Sequence, residues 1–128
     1  MKPRLCKPGI ALREWVDDNY PTRDRRSDGW ISDPAHAARK SDHNPDPATG
    51  VVRAIDIDAD LRHNKPDEAL RLADTLREEA KTGKRPISYI IFRGRITSAK
   101  SRWAWRDYDG INPHNHHLHV SFKKVKGE

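Results

Sequence analysis

The segment His117-Leu118-His119-Val120-Ser121-Phe122 changes between polar and apolar at every step. Only an extended chain sorts such a run by face, because successive strand side chains point to opposite sides, whereas a helix would spread them around its circumference. Leu118, Val120 and Phe122 therefore predict a buried face, and His117, His119 and Ser121 share the reverse. One apolar and one polar face is the pattern of a sheet covered on one side, most often antiparallel. The run Val51–Asp58 reads as a second strand, alternating from residue 55 onward, with Ile55 and Ile57 opposite Asp56 and Asp58.

The remaining elements follow from period and punctuation. A helix is expected over Ile10–Asn19, with Leu12, Trp15 and Val16 on one face and Pro21 as its stop. A second is expected over Pro66–Lys81, with Asp67 and Glu68 in its first turn, Leu70, Ala73, Leu76 and Ala80 as the buried stripe, and Gly83 at its end. Ile87–Arg93 predicts a strand, Gly94 a turn, and Arg95–Thr97 a short returning strand. Thr22–Gly50 is rich in Asp, Arg, Pro and Ser and predicts a long irregular stretch, with a short helix possible at Pro34–Arg39. Long ordered loops in small domains tend to carry function. The expected architecture is α+β, a small antiparallel sheet with flanking helices, in a single domain spanning 1–128.

Hydrophobic residues make up only 34% of the chain, so the core will be thin and a bound metal would add stability. Cys6 is the sole cysteine, which excludes an intramolecular disulfide and four-cysteine zinc sites. Any metal must use histidine and carboxylate. Apolar runs are too short for a bilayer span or the core of a signal peptide, so the expectation is a soluble chain made in the cytoplasm without a signal peptide and without membrane insertion. The net charge of +6 divides into +3 over residues 1–40, −4 over 41–83 and +7 over 84–128. Such a field attracts nucleic acid, anionic membrane or bacterial cell wall, and a solvated basic surface accounts for it equally well.

Four of the seven histidines fall within His114–His119. A lone strand histidine is usually structural, but His117 and His119 share one polar face, which favours a metal or an acid–base site. A catalytic zinc takes about three protein ligands, so more donors are needed. His43, at the end of the long loop, and Asp56 are the strongest; Asp58 faces the same way. Aspartate is disfavoured in strands, so its presence there wants a reason, although a solvated strand face would also supply one.

Taken in order, Ser41-x-His43, Ala54-Ile55-Asp56 and His117-x-His119 resemble the LAS group of zinc peptidases, which includes lysostaphin-type enzymes, D-alanyl-D-alanine carboxypeptidases and penicillin-insensitive murein endopeptidases. The resemblance covers residues 41–122 and implies the hedgehog/DD-peptidase-like architecture, with Zn²⁺ held by His43, Asp56 and His119. Asp58 is the alternative to Asp56. His43 and Asp56 stand thirteen residues apart against seven in the common family pattern, which implies an added loop at 44–50. In the murein endopeptidase branch two histidines lie five and two residues before the last ligand, as His114 and His117 do here. The resemblance makes His117 the group that accepts a proton from water and passes it to the leaving amine, and His114 a partner or oxyanion stabiliser. Ser41 would support the site by a hydrogen bond. Where the carboxypeptidase branch has an acidic base, this chain has His116, which weakens that branch. The overall pattern is similar to phage endolysin catalytic domains. It implies hydrolysis of an amide in the peptidoglycan stem peptide or cross-link, after holin-type release.

Trp103, Trp105 and Tyr108, interleaved with Arg102 and Arg106, would line a cleft for a glycan-linked peptide; core packing of the two tryptophans is the competing reading. His36 and His63 belong to no pattern and read as structural or surface residues. Two other functions compete with a peptidase. A metal-dependent nuclease or phosphodiesterase would use Mg²⁺ or Mn²⁺ with oxygen-rich ligation. A noncatalytic module would hold cell wall or single-stranded nucleic acid on its basic flanks and tryptophans. Neither explains the ordered His and Asp pattern, so nucleic acid is not the expected partner.

Overall fold

The computed structural model describes residues 2–32 and 41–128. The Pro34–Arg39 helix and His36 lie outside the described residues. A short strand, β1 (Arg4–Leu5), leads into helix α1 (Lys7–Asn19), which begins three residues before the expected Ile10. Pro8 sits in its first turn, where a missing N–H breaks no bond, and Leu12 and Val16 are buried. A Cβ at Gly9 would lie 2.8 Å from Leu5 Cδ1, so glycine is what lets the helix fold back against the strand before it.

The expected strand over Val51–Asp58 divides into β2 (Val51–Val52) and β3 (Ala54–Asp58). Val51 and Val52 are both buried, and consecutive residues cannot both face one side of a single flat strand. The chain resolves this by breaking at Arg53: β2 pairs in parallel with β1, and β3 joins the main sheet. Helix α2 (Asp67–Thr82) follows and ends on Gly83, whose φ of 82° suits glycine. Its buried stripe is Ala69, Leu72, Ala73, Leu76 and Ala80, the i, i+3, i+4, i+7 pattern of one face. Leu70, expected in that stripe, is instead 45% exposed because Leu72 takes the position toward the sheet.

Strands β4 (Ile87–Phe92) and β5 (Arg95–Ser98) form a hairpin. Arg93 and Gly94 both have positive φ, 47° and 74°, as a two-residue turn of the tightest hairpin type requires. After a 3-10 turn at Ala99–Ser101 come β6 (Arg106–Asp107) and β7 (His117–Phe122). The main sheet has the order β3-β7-β4-β5-β6, with every pair antiparallel. Ile55, Ile57, Ile90, Phe92, Leu118, Val120 and Phe122 form one buried cluster with the apolar faces of both helices. The α+β expectation is met, with one face of the sheet covered by helices. Among the described residues no helix is long and apolar enough to cross a membrane.

Candidate metal centre

The uncovered face of the sheet is assembled by strand register. In the β3–β7 ladder Asp56 stands opposite His119 and Asp58 opposite His117, so residues 63 and 59 apart in sequence become direct cross-strand neighbours. His43 arrives from the loop preceding β2. Gly29 bridges to Asp56 along the outer side of β3, which lays the next residues beside the strand. There the Trp30 carbonyl accepts from His43 Nδ1 at 2.9 Å, and the Ser32 amide donates to the His43 carbonyl at 3.1 Å.

Asp56 is the hub. Its Oδ1 lies 3.2 Å from His43 Nε2 and 3.1 Å from His119 Nδ1, and its Oδ2 lies 3.5 Å from His117 Nε2. The His43 and His119 rings meet nearly at right angles, 4.9 Å between centroids. His114, in a left-handed conformation with φ 59°, sets its ring 5.0 Å from His117 and 5.3 Å from His119. Its Nδ1 is buried and has no hydrogen-bond partner among the described residues.

The charges follow from this packing. Burial alone would raise Asp56, but the bonds and charges of His119 and His43 hold it well below the usual carboxylate range. Burial works against a charged His43 too, yet the Asp56 bond and charge prevail and its pKa is raised. For His117 burial wins over Asp56, and the value is lowered. Burial, then the neighbouring His119 and His117, push His114 down to about 4.

The donor set fits a metal ion. One ligand atom each from His43, Asp56 and His119 lies within 4.8 Å of the others, and these three can hold an ion. With His43 Nδ1–H committed to the Trp30 carbonyl, Nε2 turns a lone pair toward a carboxylate oxygen. Two acceptors facing each other at that distance require a proton or a cation between them. A backbone carbonyl behind the ring also fixes the tautomer, the usual support of a metal-binding histidine. Two imidazoles and one carboxylate suit borderline ions of the zinc class better than Mg²⁺ or Ca²⁺.

Other residues singled out from sequence take varied places. Ser41 Oγ accepts from the His43 amide at 3.2 Å, a bond within the loop. Asp58 is buried and occupied: its carboxylate accepts from the Ser27 and Asp60 amides, both at 2.8 Å, and it is absent from the metal-holding group. His116 and His63 are exposed. Trp103 is in the core, its carbonyl bonded by Arg77 of α2, and Trp105 Nε1 donates to Asp74 of the same helix at 3.4 Å. Both tryptophans thus pack on the helix-bearing side, away from the histidines, because the backbone at Arg102 and Trp103 takes positive φ and turns the chain over the sheet edge. Arg102 and Arg106 are exposed. Of that group, Tyr108 reaches the site, its ring 5.9 Å from His114.

Several residues that shape the site carry no motif. Trp30 acts through its carbonyl, which any residue would supply. Buried Arg23 pairs with Asp17 and Asp28, and Asp28 Oδ1 accepts from the Asp58 amide at 2.7 Å, which pins the irregular segment to β3. Tyr89 stacks on His119 with ring centroids 5.5 Å apart. Ser121, whose Oγ lies 2.8 Å from His119 Nε2, shares the histidine face by period two and was legible there, though without a role. Comparison with family models, with curated proteins and with solved structures finds no match to this chain.

Proposed function

We propose that the chain is a zinc-dependent peptidase of LAS type that hydrolyses an amide bond in the peptidoglycan stem peptide or cross-link, reaching the wall after holin-type release. The observation that carries this reading is the convergence of His43, Asp56 and His119 on one point, with two further histidines beside it that are not needed as ligands. A zinc ion, when bound, supplies Lewis-acid chemistry, polarising an amide carbonyl and acidifying a water.

The chain's own groups account for the proton traffic. His117, kept neutral by burial, has its Nε2 near the Asp56 carboxylate and is suited to take a proton from water and release it to a departing amine. His114 is neutral at pH 7 and offers a ring nitrogen to a developing oxyanion or to His117. Asp56 offsets the charge that accumulates when either ring is protonated. Tyr108, beside His114, forms the wall against which a peptide would lie.

Elemental analysis of the purified protein should find about one zinc per chain, with that content lost in His43→Ala, Asp56→Ala and His119→Ala. Mass spectrometry of fragments released from purified peptidoglycan identifies the bond. His117→Ala should keep zinc and fold but lose about 10²–10⁴ in turnover, the usual worth of general acid–base catalysis. Zinc retained by all three ligand variants, or soluble fragments released equally by chelator-stripped protein, contradicts the proposal.

A further inference from the structure

We infer that Ser121 and Tyr89 position His119 as a ligand, Ser121 by a hydrogen bond and Tyr89 by stacking, and that the bond of Tyr89 to Asp42 ties together the two segments that carry the histidine ligands. This rests on the metal-centre reading above. His119 Nε2 lies 2.8 Å from Ser121 Oγ, the Tyr89 ring stacks on His119 with centroids 5.5 Å apart, and the Tyr89 hydroxyl donates to Asp42 Oδ2 at 2.8 Å. Register makes this geometry: Tyr89 of β4 stands directly opposite Ser121 of β7, and Ser121 is two residues from His119 on the same face.

An ion on His119 Nδ1 needs that nitrogen free of hydrogen, which leaves the ring proton on Nε2, where it donates to Ser121 Oγ. An acceptor behind the ring fixes this tautomer and makes Nδ1 a stronger donor to an ion. The Tyr89 ring, tilted only 19° from the His119 plane, resists its rotation. Asp42 precedes His43 in sequence, so its bond to Tyr89 also anchors the long loop that delivers the first ligand. Loop length between His43 and β2 can vary without disturbing this anchor, because the tether is made upstream of it. Tyr89, Ser121 and Asp42 are positioning residues.

The test is zinc affinity of the full chain by chelator competition, together with the ring ¹⁵N signals of His119 in the zinc-loaded protein. Ser121→Ala should weaken zinc about 10–100-fold, the usual cost of removing a partner behind a ligand. Tyr89→Phe keeps the stacked ring and should lose about 3–10-fold, one hydrogen bond's worth. Ser121→Thr should restore both the affinity and the Nε2-protonated signal, which a merely structural role for Ser121 would leave unmoved. Should Ser121→Ala fail to fold, Tyr89→Phe and Ser121→Thr carry the same test. Wild-type affinity in Ser121→Ala and Tyr89→Phe overturns the positioning role while the metal centre stands. Wild-type protein with no affinity for zinc overturns both.

Discussion

The two faces of β7 are made of alternating neighbours but obey different rules. Leu118, Val120 and Phe122 are buried against both helices, where shape and volume decide and a similar apolar side chain would serve nearly as well. His117, His119 and Ser121 instead depend on single atoms, each with a named partner at hydrogen-bond or near-contact distance. Stability resides mainly on one face and the candidate metal centre on the other. A thin domain can therefore lose its site and remain folded.

Leu118→Asp puts an unpaired charge into the cluster and should cost about 5 kcal/mol or more, leaving little folded protein in a urea titration. His119→Ala should abolish zinc binding yet keep the metal-free fold within about 2 kcal/mol of wild type. Equal unfolding by both would erase the distinction between the faces.

The tryptophans sharpen it next. Trp103→Ala should cost about 3–5 kcal/mol, as for a large core aromatic, with turnover per folded molecule unchanged. Trp105→Ala should cost less, because its ring is half-buried. Lost turnover at unchanged stability in either variant would return the pair to the substrate cleft.

Within the site face, Asp56 and Asp58 separate ligand from scaffold. Asp58→Ala removes the acceptor of two backbone amides and should cost about 1–3 kcal/mol while zinc is retained. Asp56→Ala should show the reverse, and zinc lost with Asp58 alone would exchange their roles.

The smallest effect is one of pH. His114 titrates near 4 in the folded chain against an ordinary 6.5, so between those values the unfolded chain takes up a proton that the folded chain refuses. Stability of the metal-free protein should fall as pH drops through that window, and His114→Gln should flatten the decline by less than about 1 kcal/mol, since solvent reaches the ring and screens it. His43 acts oppositely: its raised pKa contributes stability that is present below 6.5 and lost as pH rises through the folded value. Urea titrations at pH 4.5 and 6.5 measure the first, and a further titration above pH 6.5 measures the second. A slope unchanged in His114→Gln would mean the ring is solvated in the folded state.

Much of this was legible along the chain because it is local. Period two marked the histidine face of β7, Gly83 marked the end of α2, and Gly94 marked the hairpin turn. Where two residues competed for one role on equal local terms, sequence offered no sound basis for choosing, and the choice of Leu70 was overturned. Leu70 and Leu72 are both helical leucines, and only the position of the sheet made Leu72 the buried one. Trp103 and Trp105 alternate as a strand face would, but positive φ at Arg102 and Trp103 sends the chain to the helix side.

Local pattern determined that this chain has an amphipathic strand bearing two histidines, an aspartate-bearing strand and two helices, because side-chain direction repeats with the backbone. Which aspartate meets which histidine depends on register between β3 and β7, and register is a property of the pair. A shift of one residue would turn every side chain to the other face. The burial of Leu118 and Ile57 on the helix side forbids that slip, and so the core selects Asp56 for His119. The approach of His43 was decided further still from its own neighbours, by a backbone bridge at Gly29 and a carbonyl at Trp30, groups that every residue possesses and no sequence pattern announces.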